Sequence, residues 1–323
     1  MPQRTDTRPA TSTAEPMRLG DWELVSLEAV GILSRICRAR PAGCAASRPA
    51  AYAVKLLREP WNHQPTAIDM LRREAFVGRK VTHPHVVAVL EAHVEEPPFY
   101  LVMPWLEGRH LGQLMGEALP ALPAALWYVR QAAEGLDALH SAGWMHADVK
   151  PANILVSPSG HVTLIDLGFA RRADEVGWLA DRYVAGTPYY LAPETFTSSL
   201  RADIRSDLYS LGVVLFELLT GQRPFAGPSL ADLVVQHRQA APPDVRRLAP
   251  HVPDDVARLV RQLMAKDPLR RPQRPQELVE RLVELEVETF GSRNAKAEGG
   301  GRRAELPIFG LSGAPQLSTP LST

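Results

Sequence analysis

Read as a run of apolar and polar positions, the first third of the chain has the period of strands. WELVSL (from Trp22), SRICRAR (from Ser34) and AYAVKLL (from Ala51) are separated by turns rich in Gly, Pro and Ala. The period then changes: TAIDMLRREAFVGRK (Thr66–Lys80) carries Ile68, Leu71, Ala75 and Val77 at helical spacing. HVVAVLEAHV (from His85) and FYLVMPW (from Phe99), split by EEPP, predict two further strands. Beyond Leu106 helices dominate. ALWYVRQAAEGLDALHSAG is a long amphipathic helix closed by Gly143. The stretch ANILVSPSGHVTLIDLG reads as a hairpin, and helices are expected at Arg205–Thr220, Ser229–Gln239, Asp254–Ala265 and Gln276–Thr289. The pattern predicts an α+β, bilobal architecture. A small β-rich lobe with one main helix spans about 19–105, and a larger α-helical lobe about 106–290. Residues 1–18 lack periodicity and are expected to be disordered, and 291–323 to form a flexible tail.

Composition alters this picture little. The 323 residues are 45% hydrophobic and 22% charged, an ordinary globular mix. With a formal net charge of zero, nothing global argues for nucleic acid or an anionic membrane as partner, and neither is expected. Cys37 and Cys44 have no second Cys/His pair nearby, which disfavours zinc, and they read as reduced thiols of a cytoplasmic protein. LGVVLFELL, from Leu211, is about half the length of a membrane span, and the N-terminus has no apolar signal-peptide core.

The candidate chemistry concentrates in MHADVKPANIL (Met145–Leu155), where Asp148, Lys150 and Asn153 share one short loop. Around it, in order, stand AVKLL with Lys55, RREAF with Glu74, IDLGF with Asp166, GTPYYLAPE (Gly186–Glu194), SDLYSLG with Asp207 and KDPLRRP with Arg271. From about Trp22 to about Thr289 this order resembles the protein kinase family, in particular the bacterial eukaryotic-like serine/threonine kinases. The resemblance implies the protein-kinase fold and transfer of the γ-phosphate of ATP, with Mg²⁺ or Mn²⁺, to Ser/Thr hydroxyls of protein substrates. It implies Lys55 on the nucleotide phosphates, aimed by Glu74, and Asn153 and Asp166 as metal ligands. Asp148 would accept the substrate proton, Lys150 would steady the transferring phosphate, and Thr187 would hydrogen-bond near both. Glu194 would pair with Arg271, and Asp207 would tie the catalytic loop to a buried helix. Ile36, Ala53 and Leu155 match the adenine slots, Met103 the gatekeeper, and Pro104 and Leu106 the carbonyl and N–H that read adenine.

Two departures stand out. The glycine-rich loop reads Ala29, Gly31, Ser34, Ile36, keeping one glycine of three. A Cβ at the other two restricts φ and crowds the phosphates, which predicts weakened nucleotide affinity. Gly78, one turn after Glu74, packs nothing on this reading and predicts a helix that moves when nucleotide is absent. Ala147 is the second departure, since most family members have arginine between the His and Asp. Between Asp166 and Thr187 there is no Ser or Thr, only Tyr183. With no arginine to neutralise, no phosphate on this segment is required for activity. Three function classes compete: an active kinase, a pseudokinase or nucleotide-binding scaffold with weak turnover, and a small-molecule phosphotransferase. The last shares a small residue before Asp148 but lacks the GTPYYLAPE segment and its Glu194–Arg271 anchor. Thr5, Thr7, Thr11, Ser12 and Thr13 are candidate autophosphorylation sites.

Overall fold

The computed structural model describes residues 17–172, 175, 188–196 and 202–298, with side chains as far as 289. Six strands, β1 (Met17–Leu19), β2 (Trp22–Val30), β3 (Ser34–Pro41), β4 (Tyr52–Leu57), β5 (Glu91–His93) and β6 (Tyr100–Pro104), form one antiparallel sheet in the order β1-β2-β3-β4-β6-β5. Side chains alternate across β4, as the strand period requires. Val54 and Leu56 enter a cluster with Leu24, Tyr100 and Val102 on one face. Ala53 and Leu57 enter the main core on the other. Lys55 therefore shares the face of Ala53, toward helix α1 (Pro65–Lys80).

Strand β1 begins inside the stretch expected to be disordered, because Met17 pairs with Leu24 and Leu19 is buried. The strand expected from His85 to Val94 forms only at Glu91–His93. Val86, Val87 and Val89 are buried while Leu90 is exposed, and the backbone of this stretch serves three partners. Val87 N–H donates to Leu164, Val89 N–H to Gly78 and Leu90 N–H to Val102, so no continuous ladder forms.

Gly78 is likewise not a gap in the packing. A Cβ there would lie 2.6 Å from Val89 Cγ2, so only glycine lets the last turn of α1 close onto this segment and accept the Val89 N–H at 3.0 Å.

The helical lobe starts with strand β7 (Arg109–His110) and a helix the pattern did not flag, α2 (Leu111–Glu117). Next comes α3 (Leu122–Ser141), which Gly143 ends in the left-handed region at φ 83°. The expected hairpin is β8 (Ile154–Val156) and β9 (Val162–Leu164), paired antiparallel. Helix α4 (Ile204–Thr220) is apolar nearly all round and buried accordingly. Helices α5 (Leu230–Gln239), α6 (Asp254–Leu263) and α7 (Pro275–Glu298) complete the lobe. The last runs past the expected stop at Thr289, since Ala, Lys and Glu carry a helix through Gly291 at a cost of about 1 kcal/mol. Among the described residues no helix is long and apolar enough to cross a membrane. Residues 1–16 and 299–323, together with Tyr183 and Thr187, lie outside the described residues.

Candidate active site

The site lies between the sheet and the helical lobe, and its sheet side is built from strand register. Lys55 Nζ donates to Glu74 Oε2 at 2.6 Å and to Asp166 Oδ1 at 2.9 Å, joining β4, α1 and the turn after β9. One cation thus faces two carboxylates. Burial opposes the Lys55 charge, but Asp166 and Glu74 together outweigh it and push the ammonium above its usual range. Glu74 is pushed up to about 7, chiefly because burial disfavours its charge more than the shared lysine restores it. Burial works the same way on Asp166, yet Lys55 and Lys150 hold it below the usual carboxylate range. Asp166 stands in the left-handed region at φ 66°, and Gly168, two residues on, has Met70 O 3.4 Å from where a Cβ would be.

On the helical side, Lys150 Nζ donates to Asp148 Oδ2 at 2.7 Å, and Asn153 Nδ2 donates to the same oxygen at 2.7 Å. Asn153 also donates to the Asp148 carbonyl at 2.8 Å, which turns its amide oxygen away from Asp148. Ile165 N–H donates to the Asn153 carbonyl at 3.0 Å, so the β8–β9 hairpin brings Asn153 beside Asp166. The loop backbone hangs on a buried acid. Asp207, in the first turn of α4, accepts the N–H groups of His146 at 2.6 Å and Ala147 at 2.8 Å. Ala147 has φ 63°, a conformation costing a non-glycine residue about 1–2 kcal/mol, and the Asp207 bond offsets that strain. The His146 ring donates from Nε2 to Ile165 O at 3.2 Å, and burial pushes its pKa down, favouring the neutral imidazole.

Glu194 and Arg271 meet through two bonds of 2.6 and 2.9 Å, both side chains buried, and Ser206 donates a third to Glu194 at 2.7 Å. Two bonds between planar groups fix orientation as well as distance.

Between the two sides opens a cleft of about 620 Å³, within the range of small-molecule sites. Ala29, Gly31, Ser34, Ile36, Ala53 and Lys55 line it from the sheet. Met103, Pro104, Leu106, Leu155, Asn153 and Asp166 line it from the connection and the hairpin. Val87 and His110 also line it, though the sequence reading did not name them. Arg58 was missed as well. Its Nη1 donates to the carbonyls of Gly31 (2.8 Å) and Ile32 (2.9 Å), and Gly31 N–H donates to Ser34 O at 2.8 Å. The glycine-poor loop is thus a closed turn pinned from the end of β4. No periodicity in the sequence marks such a contact.

An antiparallel sheet with one ion-paired helix, set over a helical lobe that offers an Asp-x-Lys-x-x-Asn loop to the cleft, defines the class of protein kinase domains. The chain belongs to that family: the family model for the protein kinase domain matches residues 42–282, starting just after the glycine-poor loop. Among curated relatives, the chain is similar to the probable serine/threonine-protein kinase PknB of Lactococcus lactis, 35% identical over 67% of this chain and 34% of the relative. It is also similar to the serine/threonine-protein kinase PrkC of Bacillus subtilis, 34% identical over 68% of this chain and 34% of that protein. The serine/threonine-protein kinase pkn2 of Myxococcus xanthus is 34% identical over 83% of this chain and 32% of its own length. The chain thus spans about a third of the length of these relatives.

Proposed function

We propose that this chain is a serine/threonine protein kinase that transfers the γ-phosphate of Mg·ATP to hydroxyls of proteins. The observation that carries this reading is the convergence on one cleft of the Lys55–Glu74–Asp166 trio and the Asp148–Lys150–Asn153 loop. The names of the relatives support the choice of Ser/Thr acceptors.

The donor set suits Mg²⁺, or Mn²⁺ in its place. The Asp166 carboxylate and the Asn153 amide oxygen are hard oxygen ligands, and a metal that keeps waters and phosphate oxygens needs few protein ligands. When bound, the metal would neutralise phosphate charge.

The side chains supply the rest. Ile36, Ala53, Met103 and Leu155 sandwich adenine, and the Pro104 carbonyl and Leu106 N–H read its edge. Lys55 holds the phosphates. Asp148 accepts the proton of the attacking hydroxyl as its oxygen bonds to the γ-phosphorus. The bond from that phosphorus to the β,γ-bridging oxygen breaks, and ADP leaves with Lys150 beside the moving phosphoryl group. Ala147 and the Ser/Thr-free segment before Thr187 support activity without a phosphorylated activation segment, and the unpaired thiols Cys37 and Cys44 accord with a cytoplasmic setting. The pinned, glycine-poor loop favours a second reading, a nucleotide-binding scaffold with weak turnover.

Mass spectrometry of the chain incubated with Mg·ATP and a generic protein substrate separates the two. A kinase adds phosphate to Ser/Thr, including tail residues such as Thr5 and Thr7, and loses this in Asp148→Asn and Asp166→Asn. Nucleotide uptake with no phosphate transferred would favour the scaffold.

A further inference from the structure

Ala147 removes the arginine that would meet a phosphate, yet the segment after β9 still has to be held against α1 for Glu74 to stay on Lys55. The structure supplies a charge for this. Arg73, the neighbour of Glu74 on α1, donates from Nη1 to the Ala170 carbonyl at 3.1 Å and pairs with the Glu175 carboxylate at 3.0 Å. Both side chains are about two-thirds buried, with exposures of 34% and 33%. Glu175 is held from behind as well. Its N–H donates to Arg172 O at 3.2 Å, and its carbonyl faces Arg171 Nη1 at 3.5 Å. Arg171 is buried and donates from Nη2 to Ala202 O at 2.8 Å, just before α4. Its backbone exchanges two hydrogen bonds with Met145, at 2.8 and 3.0 Å, two residues before Ala147. A continuous path therefore runs from α1 through Arg73, Glu175 and Arg171 to the entrance of the catalytic loop.

We propose that Glu175 is a positioning residue for the phosphotransfer reaction: a permanent carboxylate that holds α1 through Arg73, where an added phosphate would otherwise serve. This rests on the kinase reading above. A carboxylate offers one negative charge and two acceptor oxygens, against nearly two charges and three oxygens for a phosphate. The tether is weaker than a phosphorylated one, but it is present from synthesis.

The test uses the full chain as Glu175→Gln, Arg73→Gln, the double variant, and the exchanged pair Arg73→Glu/Glu175→Arg. Three quantities are read: kcat/KM for phosphate transfer, amide hydrogen exchange across residues 65–80, and the melting temperature. Each single substitution is expected to lower kcat/KM and speed exchange in α1 by about three- to tenfold, the scale of a partly buried ion pair. The double variant should be no worse than either single one, the exchanged pair should recover most of the loss, and melting should be unchanged. Additive losses in the double variant, or losses the exchanged pair does not recover, would overturn the proposal. Unchanged exchange in α1 would do the same. If the wild-type chain transfers no phosphate, the kinase reading fails, and the exchange measurement alone decides for or against the tether.

Discussion

The two sides of the cleft are held by different kinds of contact. On the helical side, Asp207 accepts two backbone N–H groups, and Glu194 receives two bonds from Arg271 and a third from Ser206, all in the buried interior. Each anion there has its own set of donors. On the sheet side, one ammonium serves two carboxylates, one arginine pins the glycine-poor loop through its carbonyls, and one partly exposed ion pair joins α1 to Glu175. There the donors are shared. Fully partnered buried groups resist rearrangement, because losing one bond strands a desolvated charge. A shared cation can release one partner and keep the other. The helical side is therefore a finished scaffold, and the sheet side is an adjustable one.

The sharpest way to break this division is Asp148→Asn. Removing the proposed base should cut phosphate transfer by about 10²- to 10⁴-fold while leaving Mg·ATP affinity by calorimetry unchanged. Parallel loss of affinity would mean the two sides are not separable.

Next in size is Arg271→Ala, which strands Glu194 in the interior. Chemical denaturation should show a loss of about 3–5 kcal/mol, against much less for Arg58→Ala on the sheet side.

Acidity should pull the two sides in opposite directions. Glu74, pushed up to about 7 by burial, binds its proton more tightly folded than unfolded. Its contribution is full below the usual carboxylate value and is lost as pH rises through about 7. His237 on α5 is pushed down to about 4 by burial, with Lys266 adding repulsion. Its contribution is full above the usual histidine value and is lost as pH falls through about 4. Melting temperature against pH should therefore lose its high-pH decline in Glu74→Gln and its low-pH decline in His237→Gln. A profile unchanged in Glu74→Gln would mean that the lysine, rather than burial, governs that carboxyl.

Gly78→Ala sets helix propensity against packing. Propensity alone predicts a gain of about 1 kcal/mol. The 2.6 Å approach to Val89 Cγ2 predicts instead a loss of about 1–3 kcal/mol in denaturant unfolding.

The smallest effect expected is that of Arg58→Ala. Freeing the two loop carbonyls should raise the KM for ATP about two- to fivefold, the scale of one exposed charge-assisted contact, with kcat little changed.

Lys55, Asp148, Asn153 and Asp166 were named through the resemblance to the kinase family, whose motifs hold each at a fixed offset within a short stretch, and the structure brings Lys55 onto Asp166 and Asn153 onto Asp148. Glu74 needed the family pattern as well, since a lone glutamate on an amphipathic helix is usually solvated. Gly78 was misread because its partner, Val89, belongs to a different element. The apolar run His85–Leu90 was misread as strand because burial was legible and backbone pairing was not. Arg58, His110 and Glu175 gave no signal, since an isolated polar residue takes its meaning from what lies opposite it.

The amino-acid sequence alone determined most of the order of elements, the two-lobed architecture and the polar loop around Asp148, because these follow from local period and spacing. Only the tertiary structure decided that Lys55 is shared by two acids, that Asp207 holds the strained Ala147, that Arg58 pins the loop and that Glu175 meets Arg73. These are contacts between residues far apart in the chain, set by how packed elements bring side chains within bonding distance.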